Sequence, residues 1–117
     1  MLSPAEHDEA VAVISHLPHA IASALMQLAE ESQRHTGKTF QLAAGSFRDL
    51  TRIADSSPEL WRDICTTNAD SLSAAITAFQ DLLEKLKSAL QVHDEAAIEQ
   101  FFQQAQQIRQ TYLRLIA

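Results

Sequence analysis

Only two glycines and three prolines punctuate 117 residues. A sandwich, a barrel or a βαβ array needs a turn signal about every 8–12 residues. The scarcity therefore leaves helices as the way for this chain to fold. It limits chemistry too. A dinucleotide loop brings backbone against phosphate and needs several glycines close together. Gly37 and Gly45 are not close, and no strand pattern precedes either. No cofactor-binding residues are expected in this chain.

Composition narrows the class further. Apolar residues make up 46% and charged residues 21%, which is globular rather than disordered. The formal net charge is −6. With no basic run, neither nucleic acid nor an anionic membrane surface is an expected partner. Cys65, the one cysteine, excludes an internal disulfide and suits a reducing, cytoplasmic compartment. No uninterrupted apolar run reaches the roughly 18 residues of a membrane span. The Met1 end lacks the charged-then-apolar order of a signal peptide. The length fits a single domain over 1–117.

Ser3-Pro4-Ala5-Glu6 reads as a capping box with proline at the first helical position. The helix it opens runs to about Ser32 and carries Ile14, Leu17, Ile21, Leu25 and Leu28 on one stripe. Alanines cover much of the rest, so this should be the central helix. Pro18 lies inside it and predicts a kink or local opening. A polar loop with Gly37 leads to a second helix over about 39–54. Ser57-Pro58 opens a short third helix with Leu60, Trp61, Ile64 and Cys65. Leu72, Ile76, Phe79, Leu83, Leu86 and Leu90 then step by four and three. Ile98, Phe101, Ala105, Ile108, Tyr112 and Leu115 do the same after Asp94, a candidate N-cap. Such seams pack helices nearly antiparallel at a shallow angle. The expected fold is an all-α bundle of five to six helices with a long C-terminal αα-hairpin. More apolar surface than one small body can bury predicts an intertwined two-fold dimer.

Two clusters could carry chemistry. In Ser15-His16-Leu17-Pro18-His19 the histidines share a helix face. They could begin a metal site, though no cluster elsewhere completes one. They could be satisfied by backbone groups that Pro18 frees. One could line a pocket and bond an anionic ligand. In Gly45-Ser46-Phe47-Arg48-Asp49-Leu50-Thr51-Arg52, an unbroken helix puts Gly45, Asp49 and Arg52 along one face. Asp49 and Arg52 can pair at i,i+3. Either this is a solvated ion pair, or the arginine waits for a carboxylate that its planar fork grips bidentately. Trp61 could be core, pocket wall or subunit interface. Cys65, beside Ile64, is expected on a buried face as an inert thiol.

Taken in order, Ser15-His16-Leu17-Pro18-His19, then Ala44-Gly45-Ser46-Phe47-Arg48-Asp49-Leu50-Thr51-Arg52-Ile53-Ala54, then Pro58-Glu59-Leu60-Trp61-Arg62-Asp63-Ile64 resemble the C-terminal helical domain of prephenate and arogenate dehydrogenases. The resemblance covers essentially the whole chain. It implies an enzyme of tyrosine biosynthesis that oxidatively decarboxylates prephenate or arogenate with NAD or NADP. An N-terminal Rossmann domain, not present in this chain, would bind cofactor and carry the catalytic histidine. This chain alone is then not expected to be active, and the resemblance leaves open whether it is a fragment or a stand-alone protein. The resemblance assigns His19, Gly45, Arg52 and Trp61 to substrate binding, with Trp61 arriving from the partner subunit of a homodimer. It makes Asp49 the gating ionic partner of Arg52 and leaves His16 and Pro18 as structural support. Hydroxyphenylpyruvate or tyrosine would bind as product-like ligands. Two other readings stand beside it. One is a dimerisation module without ligand, and the other is a histidine phosphotransfer module.

Overall fold

The computed structural model describes residues 1–117 and is all helical. Its six α-helices are α1 (Pro4–Val11), α2 (Leu17–Thr36), α3 (Gly45–Thr51), α4 (Pro58–Thr67), α5 (Ala69–Gln91) and α6 (Glu95–Ile116). The chain divides into two compact units, Met1–Ile76 and Thr77–Ala117. The boundary falls inside α5, which is a single unbroken helix.

In the first unit, α1 and α2 form one rod joined by a five-residue π-helical turn, Ala12–His16. The capping box holds as expected. Ser3 Oγ accepts from the Glu6 N–H at 3.2 Å and Glu6 Oε1 accepts from the Ser3 N–H at 3.0 Å. The expected opening at Pro18 is the π turn, in which the Leu17 N–H reaches back to the Ala12 carbonyl. A wider turn relieves the clash that proline's ring makes with the preceding turn. The rod ends at Gly37, whose φ of 76° takes the left-handed position that favours glycine. Measured by length and composition alone, Pro4–Thr36 could cross a membrane.

The expected second helix is broken. Phe40–Leu42 makes a 3₁₀ turn, Ala43 and Ala44 are extended, and α3 starts only at Gly45. Gln33 explains the break. Its side chain accepts from the Phe40 N–H at 2.9 Å and donates to the Gly37 carbonyl at 3.0 Å, giving the backbone partners outside a helix. Gly45 is therefore the first residue of α3 rather than an interior one. α3 in turn gives way to a second 3₁₀ turn, Arg52–Ala54. Both α3 and this turn pack on α2. Ser57 caps α4, accepting from the Leu60 N–H at 3.2 Å. Ala12, Leu17, Ala22, Ala29, Leu72 and Ala75 form a small core.

In the second unit, the α5–α6 connection is the expected short turn, with Asp94 Oδ1 accepting from the Ala97 N–H at 3.1 Å. The seams are covered only in part: Phe79, Leu86, Ile98 and Phe101 are half-buried. Leu83, Leu90, Ile108, Tyr112 and Leu115 stay 48%, 52%, 69%, 47% and 80% exposed. The periodicity is right, but much of its apolar surface stays uncovered within this chain.

Candidate functional site

The π turn decides where the two histidines point. His19 Nδ1 lies 3.0 Å from the Ser15 carbonyl. A carbonyl only accepts, so the proton sits on Nδ1 and Nε2 has its lone pair free. His16 Nδ1 lies 3.3 Å from the Asn68 amide nitrogen, where it accepts. The two rings are thus held in opposite tautomers.

Trp61 joins them. α4 folds back so that the indole stacks on His19, with centroids 3.7 Å apart and planes 23° apart. His16 meets the same indole edge-on at 6.0 Å and 81°. Such aromatic pairs contribute about 0.5–1.5 kcal/mol beyond the area they bury. The resemblance implied a tryptophan from the partner subunit, whereas in this structure Trp61 reaches His19 of its own chain. Beside the stack is an open cavity of about 380 Å³, lined by His19, Ser23, Ile53, Trp61, Arg62 and Cys65 among others. Cys65 is half-buried at this wall rather than enclosed in core.

The other candidates stand apart. Gly45, Asp49 and Arg52 are exposed and do not line the cavity. No ion pair joins Asp49 to Arg52. The helical wheel assumed one continuous helix, but α3 ends at Thr51 with ψ near −2°, and the register changes between the two charges. The Thr51 hydroxyl, meanwhile, donates to the Phe47 carbonyl at 2.7 Å and is buried. Gly45 has open space where a Cβ would be. Nothing within this chain therefore requires glycine at this position.

Two residues of the site escaped the sequence reading, although Asn68 is a candidate helix cap by residue type. Arg62 is the arginine that lines the cavity, its Nε donating to Asp63 Oδ1 at 3.0 Å. Its signal was its place one step after Trp61. Asn68 ends α4 and donates to the Asp8 carbonyl at 2.9 Å as well as to His16. Its signal was position, at the joint of two helical stretches. An apolar wall, a flat aromatic stack, an imidazole acceptor and a guanidinium together suit a ring that carries a hydroxyl and an anion. No group of His, Cys, Asp and Glu side chains is arranged to hold a metal ion.

Comparison with known proteins gives a consistent result. A family model described as the dimerization domain of prephenate dehydrogenase matches residues 3–107. Prephenate dehydrogenase of Bacillus subtilis is 35% identical over 92% of this chain, which spans 29% of that protein. Cyclohexadienyl dehydrogenase of Zymomonas mobilis is 36% identical over 93% of the chain, or 38% of its own length. The arogenate dehydrogenase structure from Synechocystis superposes with a TM-score of 0.86 at 30% identity, covering 95% of this chain and 41% of that one. Prephenate dehydrogenase from A. aeolicus, in complex with hydroxyphenyl propionate and NAD+, gives 0.85 at 34% identity, with 95% and 39% covered. The chain thus spans well under half the length of these relatives.

Proposed function

The chain belongs to the prephenate dehydrogenase dimerization-domain family, and from that premise we propose that it pairs two copies of an NAD(P)-dependent dehydrogenase of aromatic amino acid biosynthesis and supplies part of the wall against which prephenate or arogenate is held. The observation that carries this is the His19–Trp61 stack beside the cavity.

The uncovered seams of α5 and α6 support the pairing. Each large aliphatic or aromatic side chain left in water forgoes about 1.5–3 kcal/mol of burial. A second copy that covers them explains why so much of two regularly spaced seams stays exposed. It also gives the apolar rod Pro4–Thr36 a use other than crossing a membrane. The intertwined two-fold dimer remains the arrangement we favour, in a cytoplasmic enzyme that uses neither nucleic acid nor membrane as a partner.

The residues present do not fit a dinucleotide. Gly37 ends α2 and Gly45 opens α3, and no strand leads into either. The cofactor, NAD or NADP, belongs to a Rossmann portion such as the remainder of the relatives' length would hold. This chain's part is to bind and orient. Arg62 can meet a carboxylate, His19 Nε2 can accept from a hydroxyl, and the indole can lie against a ring. We keep Arg52 as a carboxylate ligand reached when a second copy or the dinucleotide portion completes the site, with Gly45 beside it and Asp49 as its gate. His16 and Pro18 support the stack. A phosphotransfer role finds no support here, because both candidate histidines are half-buried and engaged.

Titration with hydroxyphenyl propionate, read by 1H–15N NMR on the dimeric chain, tests the reading. Saturable shifts at His19 and Trp61 are expected. Loss of a charged hydrogen bond in Arg52→Ala should weaken binding about ten- to a hundredfold. No binding by a dimer that forms normally would favour the ligand-free dimerisation module.

A further inference from the structure

Asn68 makes two polar contacts across 60 and 52 residues of sequence, to the Asp8 carbonyl at 2.9 Å and to His16 Nδ1 at 3.3 Å. It sits where α4 ends, with φ −118° and ψ 36°, one residue before α5 begins. Its amide has two protons, and the two acceptors use both. One contact fastens it to α1. The other fixes the proton of His16 on Nε2. His16 bears edge-on against Trp61, and Trp61 lies flat on His19.

We propose that Asn68 is the positioning residue of this site, acting through His16 and Trp61 to set the plane of His19 and leave its Nε2 free at the cavity. An amide is the group this position needs. A carboxylate would accept where both neighbours also accept, and a plain apolar side chain would leave the His16 ring free to turn. A helix end could be made by many residues. The paired donation to a carbonyl and to an imidazole is specific to a side chain with two N–H groups. Only the consequence for a bound ligand rests on the dehydrogenase reading. The ordering of the rings does not.

The test is long-range 1H–15N NMR of the histidine rings in the full 117-residue chain, at a pH where both are neutral, with emission from Trp61, the one tryptophan, read in parallel. The parent should show His16 as the Nε2–H tautomer and His19 as the Nδ1–H tautomer. Asn68→Asp keeps size and a helix-end preference but cannot donate, so His16 should change to Nδ1–H and the Trp61 emission should shift as the stack loosens. Asn68→Ala should give mixed His16 tautomers, and Asn68→Gln, which keeps the amide, should restore part of the parent pattern. Affinity for hydroxyphenyl propionate should fall about fivefold in Asn68→Ala, the worth of one neutral hydrogen bond. If His16 lacks the Nε2–H form in the parent, or keeps it in both Asn68→Asp and Asn68→Ala, the proposal is overturned. If the parent binds no ligand while the tautomers respond as stated, the positioning role stands and the substrate reading fails.

Discussion

Pro18 shows how one missing N–H is absorbed. An interior proline costs about 3 kcal/mol in a regular helix. Here it follows directly on the π turn inside the rod, and that wider turn takes up the strain. Pro18→Ala lets residues 12–16 close into regular α turns, which moves His16 by about one residue's rotation relative to His19. Melting temperature should rise while hydroxyphenyl propionate binding falls. A lower melting temperature would show that the wide turn is the stable form in its own right. Glu6 offers a pH test on the same rod. Hydrogen bonds from the Ser3 backbone and side chain hold its carboxyl below the ordinary glutamate range. A folded-state value below the unfolded one adds stability that is present above the unfolded value and lost as pH falls through the folded one. The melting-temperature gap between parent and Glu6→Ala should therefore be widest above the ordinary glutamate range and close in stronger acid. A gap independent of pH would place the effect in helix propensity instead.

Helix boundaries were legible wherever a side chain announces them. Ser3, Ser57 and Asp94 are caps by residue type, and each accepts the expected backbone N–H. What was not legible is set by side chains acting across a gap. The break before Gly45 depends on Gln33 reaching Phe40 seven residues away, which no local propensity encodes. The separation of Asp49 from Arg52 follows from a change of helix type within one turn. The α5–α6 joint is a further element of this kind. The Asp94 N–H bonds the Ala89 carbonyl at 2.9 Å and the His93 N–H bonds that of Leu90 at 3.2 Å, which is a Schellman motif. His93 fills its left-handed position at φ 55°, where glycine is normally found. His93→Gly should stabilise the chain by about 0.5–1 kcal/mol, measured by chemical denaturation, because the side chain's steric penalty is removed. A loss of stability would mean that the imidazole makes a contact in the assembled protein.

For the molecule as a whole, the periodic seams were plain in the sequence and their destination was not. A period states which residues want cover, not whose surface provides it. The seams of α5 and α6 leave Leu83, Leu90, Ile108, Tyr112 and Leu115 exposed. If a second copy covers them, the interface should exceed about 2,000 Å², as obligate dimers do. Ile108→Glu should then turn a sedimenting dimer into monomer at micromolar concentration, since each symmetric interface carries the change twice. A dimer that survives it would locate the contact elsewhere.

The open helix pair also sets the order of events when the protein forms. Contacts along α5 and α6 are almost all between near neighbours, so the helices themselves can appear within about a microsecond. If a second copy covers their seams, that burial has to wait for an encounter between molecules. Dilution should therefore slow the last refolding phase without touching the first, and two differently labelled preparations should exchange subunits only as fast as that final step reverses. The apparent stability of such a protein belongs to a concentration rather than to a chain.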